Sequence, residues 1–174
     1  MADVSAEISR LVEIEELDGP AVESVLAAAG WSGERRNPSK SWATTWQRDD
    51  ARAWIQGEDP VEVEFTLWFQ EIEDDRPDPD AYLDDLCAVA VAKIPEVAAH
   101  LRSGVLGERL EEPEGEVTDA DSCIEHRAWR VAGKELLVGV KQDDTDTPVQ
   151  LVVVLREPRA DDHPHAPGSP GILR

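Results

Sequence analysis

The residues best suited to acid–base or metal chemistry are few in this chain and lie far apart. Its 174 residues contain four histidines and two cysteines, Cys87 and Cys123. A metal site or a catalytic triad needs several such groups to converge. His100 falls near the end of a predicted helix and His126 in a predicted strand, and neither belongs to a catalytic motif. The pattern therefore predicts neither a catalytic residue, a metal site nor a disulfide framework.

Two short segments contain side chains that could bind a metal ion, but each lacks other features that a metal site requires. "DDHPH", residues 161–165, lies in a proline-rich tail that cannot hold it in one geometry. "DDTDT", residues 143–147, lacks the glycine and the distal glutamate of a calcium loop and is typical of a polar hairpin turn. Glycine-rich phosphate loops and a nucleophile elbow are also absent. We expect no cofactor. Paired carboxylates do not identify an active site, because 38 acidic residues form pairs by chance. An enzyme with an unrecognised carboxylate site stays an alternative.

Carboxylates are the abundant chemical group, and they are unevenly distributed. The formal net charge is −21. Residues 31–56 contain five bases and three acids, whereas residues 58–85 contain twelve acids and one base. Residues 108–125 add eight acids and one base. Like charges packed this closely repel one another unless a partner or counterions compensate them. The concentration of acid predicts a surface that attracts a basic protein.

The overall charge also excludes several classes of partner. An acidic chain is repelled by nucleic-acid phosphates and by anionic membranes. The sequence contains no apolar run of about 20 residues and no secretory leader, which favours a cytoplasmic protein without a membrane span. A nucleic-acid mimic, in which carboxylates reproduce phosphate spacing, is a further alternative.

Alternation along "VEVEFTLWF", residues 61–69, gives the predicted acidic surface its geometry. Val61, Val63, Phe65, Leu67 and Phe69 are predicted to face a core. The intervening residues then face the other way, together with Trp54 of the preceding strand. In the alternative arrangement, the N-terminal helices cover this second face and make both tryptophans core. The predicted partner-binding residues are Trp54, Glu62, Glu64, Trp68, Glu71, Glu73, Asp74 and Asp75.

The elements that must position these residues follow from periodicity and from turn residues. Helices are predicted over 5–17, 18–29 and 80–103, the last with a kink at Pro95. Its apolar stripe comprises Leu83, Leu86, Ala90, Ile94, Val97 and Leu101. Strands are predicted over 40–48, 51–56, 61–69, 124–131, 135–140 and 149–156. The last strand is apolar on both faces, which places it in the interior of the sheet.

The predicted order is α-α-β-β-β-α-β-β-β, an α+β domain with an antiparallel sheet of about six strands packed on one long helix. This domain spans residues 1–157. Residues 158–174, rich in proline and glycine, are predicted to be a disordered tail.

Two resemblances bear on function. "AVESVLAAAGWSGERR", residues 21–36, resembles the start of small actinobacterial proteins found beside polymorphic toxins. The element order from about 20 to 156 is similar to that of type III secretion chaperone-like proteins, which bind other proteins. These resemblances imply a non-enzymatic protein-binding module: an immunity protein that neutralises a basic toxin or, alternatively, a secretion-chaperone-like adaptor.

Overall fold

Two short helices open the chain. A computed structural model describes residues 1–73, 75–115, 117 and 123–159. Helix α1 spans Ser5–Leu11 and helix α2 spans Gly19–Ala28. Asp18 caps α2, because its side chain accepts a hydrogen bond of 2.8 Å from the backbone N–H of Ala21. Helix α1 ends at Leu11, earlier than predicted. Beyond it, the backbone carbonyls of Ile14 and Glu15 accept hydrogen bonds from Lys134 Nζ rather than from a continuing helix.

A seven-stranded antiparallel sheet forms the body of the molecule. Its strands lie in the order β1-β2-β3-β4-β7-β6-β5. β7 is thus an interior strand, as its apolar sequence predicts. The strands are β1 Ser32–Glu34, β2 Thr45–Arg48, β3 Ala51–Gly57, β4 Val61–Gln70, β5 Glu125–Val131, β6 Lys134–Lys141 and β7 Val149–Arg156.

The chain leaves the sheet after β4 and returns at its far edge through two further helices. Helix α3 spans Pro79–Val91 and helix α4 spans Ile94–Arg102, followed by a 3-10 turn at Gly107–Arg109. Asp78 caps α3 through a hydrogen bond of 3.1 Å from the N–H of Ala81. Pro95 lies in the first turn of α4, where its missing N–H costs no intrahelical hydrogen bond. The predicted kink is therefore a break between two helices.

All four helices pack on the same face of the sheet. Helices α3 and α4 contact β5, β6 and β7. The N-terminal region covers β3 and β4: the ring of Trp31 lies 5.5 Å from that of Phe65, and Leu17 O accepts a hydrogen bond from Val61 N. Burial of this one face removes the alternating apolar residues of every central strand from water, which is the main stabilising contribution. The opposite side, called the open face below, carries no helix of the described residues.

The predicted α+β class is confirmed, with one strand more than expected. The additional strand, β1, is short and fully exposed, so it carries no hydrophobic alternation that a sequence pattern could reveal. The predicted tail begins at residue 158, and all of it beyond residue 159 lies outside the described residues, as does the "DDHPH" segment.

A β-bulge in β4 changes the direction of its last side chains. Thr66 pairs with Val152, but Trp68, not Leu67, pairs with Leu151, so one extra residue is inserted into β4. Trp68 consequently points to the helix face, where Lys93 Nζ lies 5.5 Å from its ring centroid. Phe69 points to the open face, where the Arg52 guanidinium stacks on it at 4.4 Å. The predicted directions of Trp68 and Phe69 were therefore wrong, because alternation was extended through the bulge.

Candidate protein-binding surfaces

Three of the predicted residues do share the open face. Trp54 lies directly opposite Glu64 in the β3–β4 register, and Gln56 lies opposite Glu62. The half-buried Trp54 is not covered by α1 or α2, since both helices lie on the other face. The structure therefore brings Trp54, Glu62 and Glu64 together and separates Trp68 from them.

The two glutamates of the open face have basic partners within the fold. Glu64, 6% exposed, accepts a hydrogen bond of 2.9 Å from Lys141 Nζ on β6. Burial lowers the pKa of Lys141, but the hydrogen bond and charge of Glu64 and the charge of Asp143 outweigh that effect, so the pKa is raised. Glu62 lies 3.6 Å from Arg159 Nη2. Neither carboxylate is left as an uncompensated charge for a partner.

A second ion-pair cluster lies on the open face, where β6 begins and β7 ends. Glu135 is fully buried and pairs with Arg156 at 2.9 Å and with Arg130 at 3.2 Å. Such buried pairs contribute little net stability, but removing one partner leaves an unpaired charge in a poorly solvated site. The cluster fixes the β5–β6 hairpin against β7.

The centre of the open face is apolar but inaccessible. Leu137 and Val152 are 5% and 1% exposed. Cys123 lies against Gly139, since a Cβ added to this glycine would come within 2.7 Å of its Sγ. A cavity of about 290 Å³ remains between this apolar floor and the Glu64–Lys141 pair. The side chains of Leu137 and Val152 therefore offer almost no surface for direct contact with a partner.

An acidic surface follows β4 and continues into α3. We call it the acidic lobe; its described carboxylates are Glu71, Glu73, Asp75, Asp78, Asp80, Asp84 and Asp85, all of them exposed. Asp74 belongs to the same sequence run but lies outside the described residues. Among the described residues, Arg76 is the one base paired with the lobe, 2.6 Å from Glu73. This hydrogen-bonded pair raises the pKa of Arg76.

Tyr82 holds the loop of the acidic lobe against α3. Its hydroxyl lies 3.5 Å from the carbonyl oxygen of Glu71, and the Arg76 guanidinium lies 4.6 Å from its ring. These contacts link the end of β4 to the first turn of α3. The lobe is thus attached to two rigid elements, which limits the entropy lost when a partner binds.

A basic groove, which the sequence-based predictions did not include, lies on the open face at the β1 edge of the sheet. It has a volume of about 490 Å³ and lies beside β1, β2 and β3. Its lining includes Arg36, Arg52, Gln47 and Trp54. The excess of bases in residues 31–56 was the signal that could have indicated it. The register brings these residues onto one face, since Gln47 lies opposite Arg52 and Thr45 opposite Trp54.

Neither a metal centre nor a membrane span emerges from the described parts of the chain. In those parts, no group of three or more histidine, cysteine, aspartate or glutamate side chains could hold a metal ion. The described helices also include none with both the length and the apolar character needed to cross a membrane.

Comparison with known proteins yielded no relative. No protein-family model matches the chain, and no curated protein and no solved structure shows significant similarity to it.

Proposed function

We propose that this chain is a non-enzymatic protein-binding module that neutralises a basic protein, in the manner of an immunity protein acting on a toxin. The observation that carries this proposal is the contrast between its carboxylates. Glu7, Glu64 and Glu135, which are buried, each have a basic partner inside the fold. The acidic lobe, in contrast, is exposed, and among the described residues Arg76 is the base that pairs with it.

Such an arrangement supports recognition by charge complementarity. Mutual repulsion within the acidic lobe costs stability in the free protein. A basic partner relieves that repulsion, and the field of the lobe accelerates and orients its approach. The lobe projects from the end of β4 and from α3, so a partner can reach it without displacing the helices from the core.

The test begins with a pull-down from the native host, followed by binding kinetics with the captured basic protein. The charge-reversal variant is Glu71→Lys/Asp75→Lys/Asp84→Lys. Its matched control, Glu16→Lys/Asp50→Lys/Glu114→Lys, changes net charge equally through exposed acids outside the lobe. At low salt, we expect reversal of the lobe to reduce the association rate by about tenfold or more and the control to reduce it much less.

Two outcomes would contradict the proposal. One is an association rate that responds equally to the lobe variant and to the scattered control, since this would indicate net charge alone. The other is a captured partner that is itself acidic. Circular dichroism must show that both variants keep the wild-type fold.

A further inference from the structure

We propose that the basic groove beside β1 is a second docking site, which binds an extended acidic segment of a partner protein. The site is distinct from the acidic lobe and has the opposite charge. It lies on the open face, and its charged lining residues are Arg36, Arg52 and Glu34, so that bases outnumber acids. Its lining also includes Ser32, Gln47 and Trp54. β1 is the edge strand of the sheet, so no further strand of the described chain closes the groove on that side.

Arg52 supplies the charge that a carboxylate would recognise. Its side chain is exposed, and no ion pair joins it to another described residue. The guanidinium stacks on Phe69 at 4.4 Å, which restricts its motion and leaves its N–H groups available as donors. The β-bulge makes this contact possible, because it turns Phe69 to the open face. In a chain of net charge −21, such an arginine indicates a local site for an anion.

The remaining lining adds hydrogen-bonding groups and an apolar surface. Arg36 lies 3.3 Å from Glu34, an exposed pair that water and a competing carboxylate can readily exchange. Trp54 offers a half-buried ring for an apolar side chain. Thr45 Oγ1 is buried within the same wall and has no hydrogen-bond partner among the described residues. An extended peptide with alternating acidic and apolar side chains matches this combination of two cations and an aromatic floor.

The test measures fluorescence polarisation with a labelled short peptide of alternating glutamate and leucine. A matching peptide with glutamine in place of glutamate isolates the effect of charge. The variant Arg36→Glu/Arg52→Glu removes the cations, and Arg10→Glu/Arg127→Glu, at exposed positions outside the groove, is the control of equal charge change. Trp54→Ser removes the aromatic floor.

We expect the acidic peptide to bind wild type and the Arg10/Arg127 control within a few-fold of one another. The groove variant should bind it about tenfold more weakly or worse, with a smaller dependence on salt. Trp54→Ser should weaken binding while leaving its salt dependence intact. The lobe variant used above should bind the acidic peptide at least as well as wild type, which separates this site from the proposed basic-partner site.

Three results would overturn the inference. The acidic peptide fails to bind wild type, or it binds equally to wild type and to the groove variant. Alternatively, light scattering shows that wild type self-associates and that Arg36→Glu/Arg52→Glu makes it monomeric. In that case the occupant is a second copy of this chain.

Discussion

Lys141 Nζ on β6 lies 2.9 Å from Glu64 Oε2 on β4, and the pair bridges the open face across the intervening strand β7. Both side chains are largely buried, so each serves as the main counter-charge of the other. The pair removes Glu64 from the set of carboxylates that can attract a partner. It also makes this part of the sheet sensitive to single substitutions.

Breaking the Glu64–Lys141 pair should destabilise the protein more than breaking an exposed pair. We expect Glu64→Gln to lower the free energy of unfolding by about 1–3 kcal/mol, because it removes the buried counter-charge of a largely buried ammonium and leaves the exposed Asp143, 3.6 Å away, as its charged partner. Glu112→Gln, which removes the exposed Arg102–Glu112 pair, should cost at most about 1 kcal/mol. Urea denaturation of the two variants and wild type measures both values. Equal losses of unfolding free energy in the two variants would show that the Glu64–Lys141 pair is as well solvated as the exposed pair.

The same pair predicts a pH dependence on the alkaline side. The pKa of Lys141 in the folded protein is raised above its ordinary value of 10.5. The folded state therefore binds the proton more tightly than the unfolded state does. This stabilisation is complete below that value and is lost as pH rises through the folded pKa. We expect the difference in unfolding free energy between wild type and Lys141→Met to be constant near neutrality and to decrease above pH 10.5. A difference that increases there would contradict the prediction.

Leu86 and Val97 should differ in their sensitivity to charge, although both lie on the predicted apolar stripe. Val97 in α4 is 3% exposed and belongs to the core, whereas Leu86 in α3 is only partly buried. Val97→Asp should unfold the domain, because it buries an unpaired carboxylate. Leu86→Asp should leave a folded protein of reduced stability, since its carboxylate can reach water. Thermal unfolding followed by circular dichroism distinguishes them, and identical behaviour would contradict the packing difference.

Trp68 should contribute to stability rather than to partner binding. It packs on the helix face beside Lys93, away from Trp54. We expect Trp68→Ala to lower the free energy of unfolding by about 2–4 kcal/mol, somewhat less than removal of a fully buried aromatic ring, because Trp68 is only partly buried. The rate at which the acidic peptide dissociates from the basic groove should be unchanged by Trp68→Ala and increased by Trp54→Ser. A faster dissociation from Trp68→Ala would place this ring at the docking surface after all.

Glu7 should be among the most sensitive polar positions in the chain. It is a buried residue of α1 that accepts a hydrogen bond of 3.0 Å from Trp31 Nε1 and pairs with Arg48. Glu7→Ala should cost about 3–5 kcal/mol, because the indole N–H loses its acceptor and the Arg48 guanidinium loses the carboxylate that pairs with it, keeping the backbone carbonyls of Asp3 and Ala29 as acceptors. Glu7→Gln should cost less, since an amide oxygen can still accept from Trp31. Denaturant unfolding gives both values, and equal costs would mean that the charge, not the acceptor, is what matters.

The sequence by itself determined most of the helices and strands and the distribution of charge. Alternation in β3 and β4 identified these strands, because side chains of a strand face opposite sides in turn, and an apolar run identified β7 as an interior strand. The predicted starts of the second and third helices, at residues 18 and 80, lie within two residues of Asp18 and Asp78, whose side chains cap α2 and α3 by accepting hydrogen bonds from nearby backbone N–H groups. The acidic run after β4 is a property of composition and needs no fold to be recognised.

Tertiary structure alone decided which side chains meet. The bulge at Leu67 depends on pairing with β7, so no local pattern could show that Trp68 turns to the core and Phe69 to Arg52. Glu64 and Lys141 are 77 residues apart in the chain, and only the strand order makes them partners. Local preferences act over a few residues, whereas ion pairs and surfaces are created when distant strands align. The distinction between compensated and uncompensated carboxylates therefore emerges only in the folded protein.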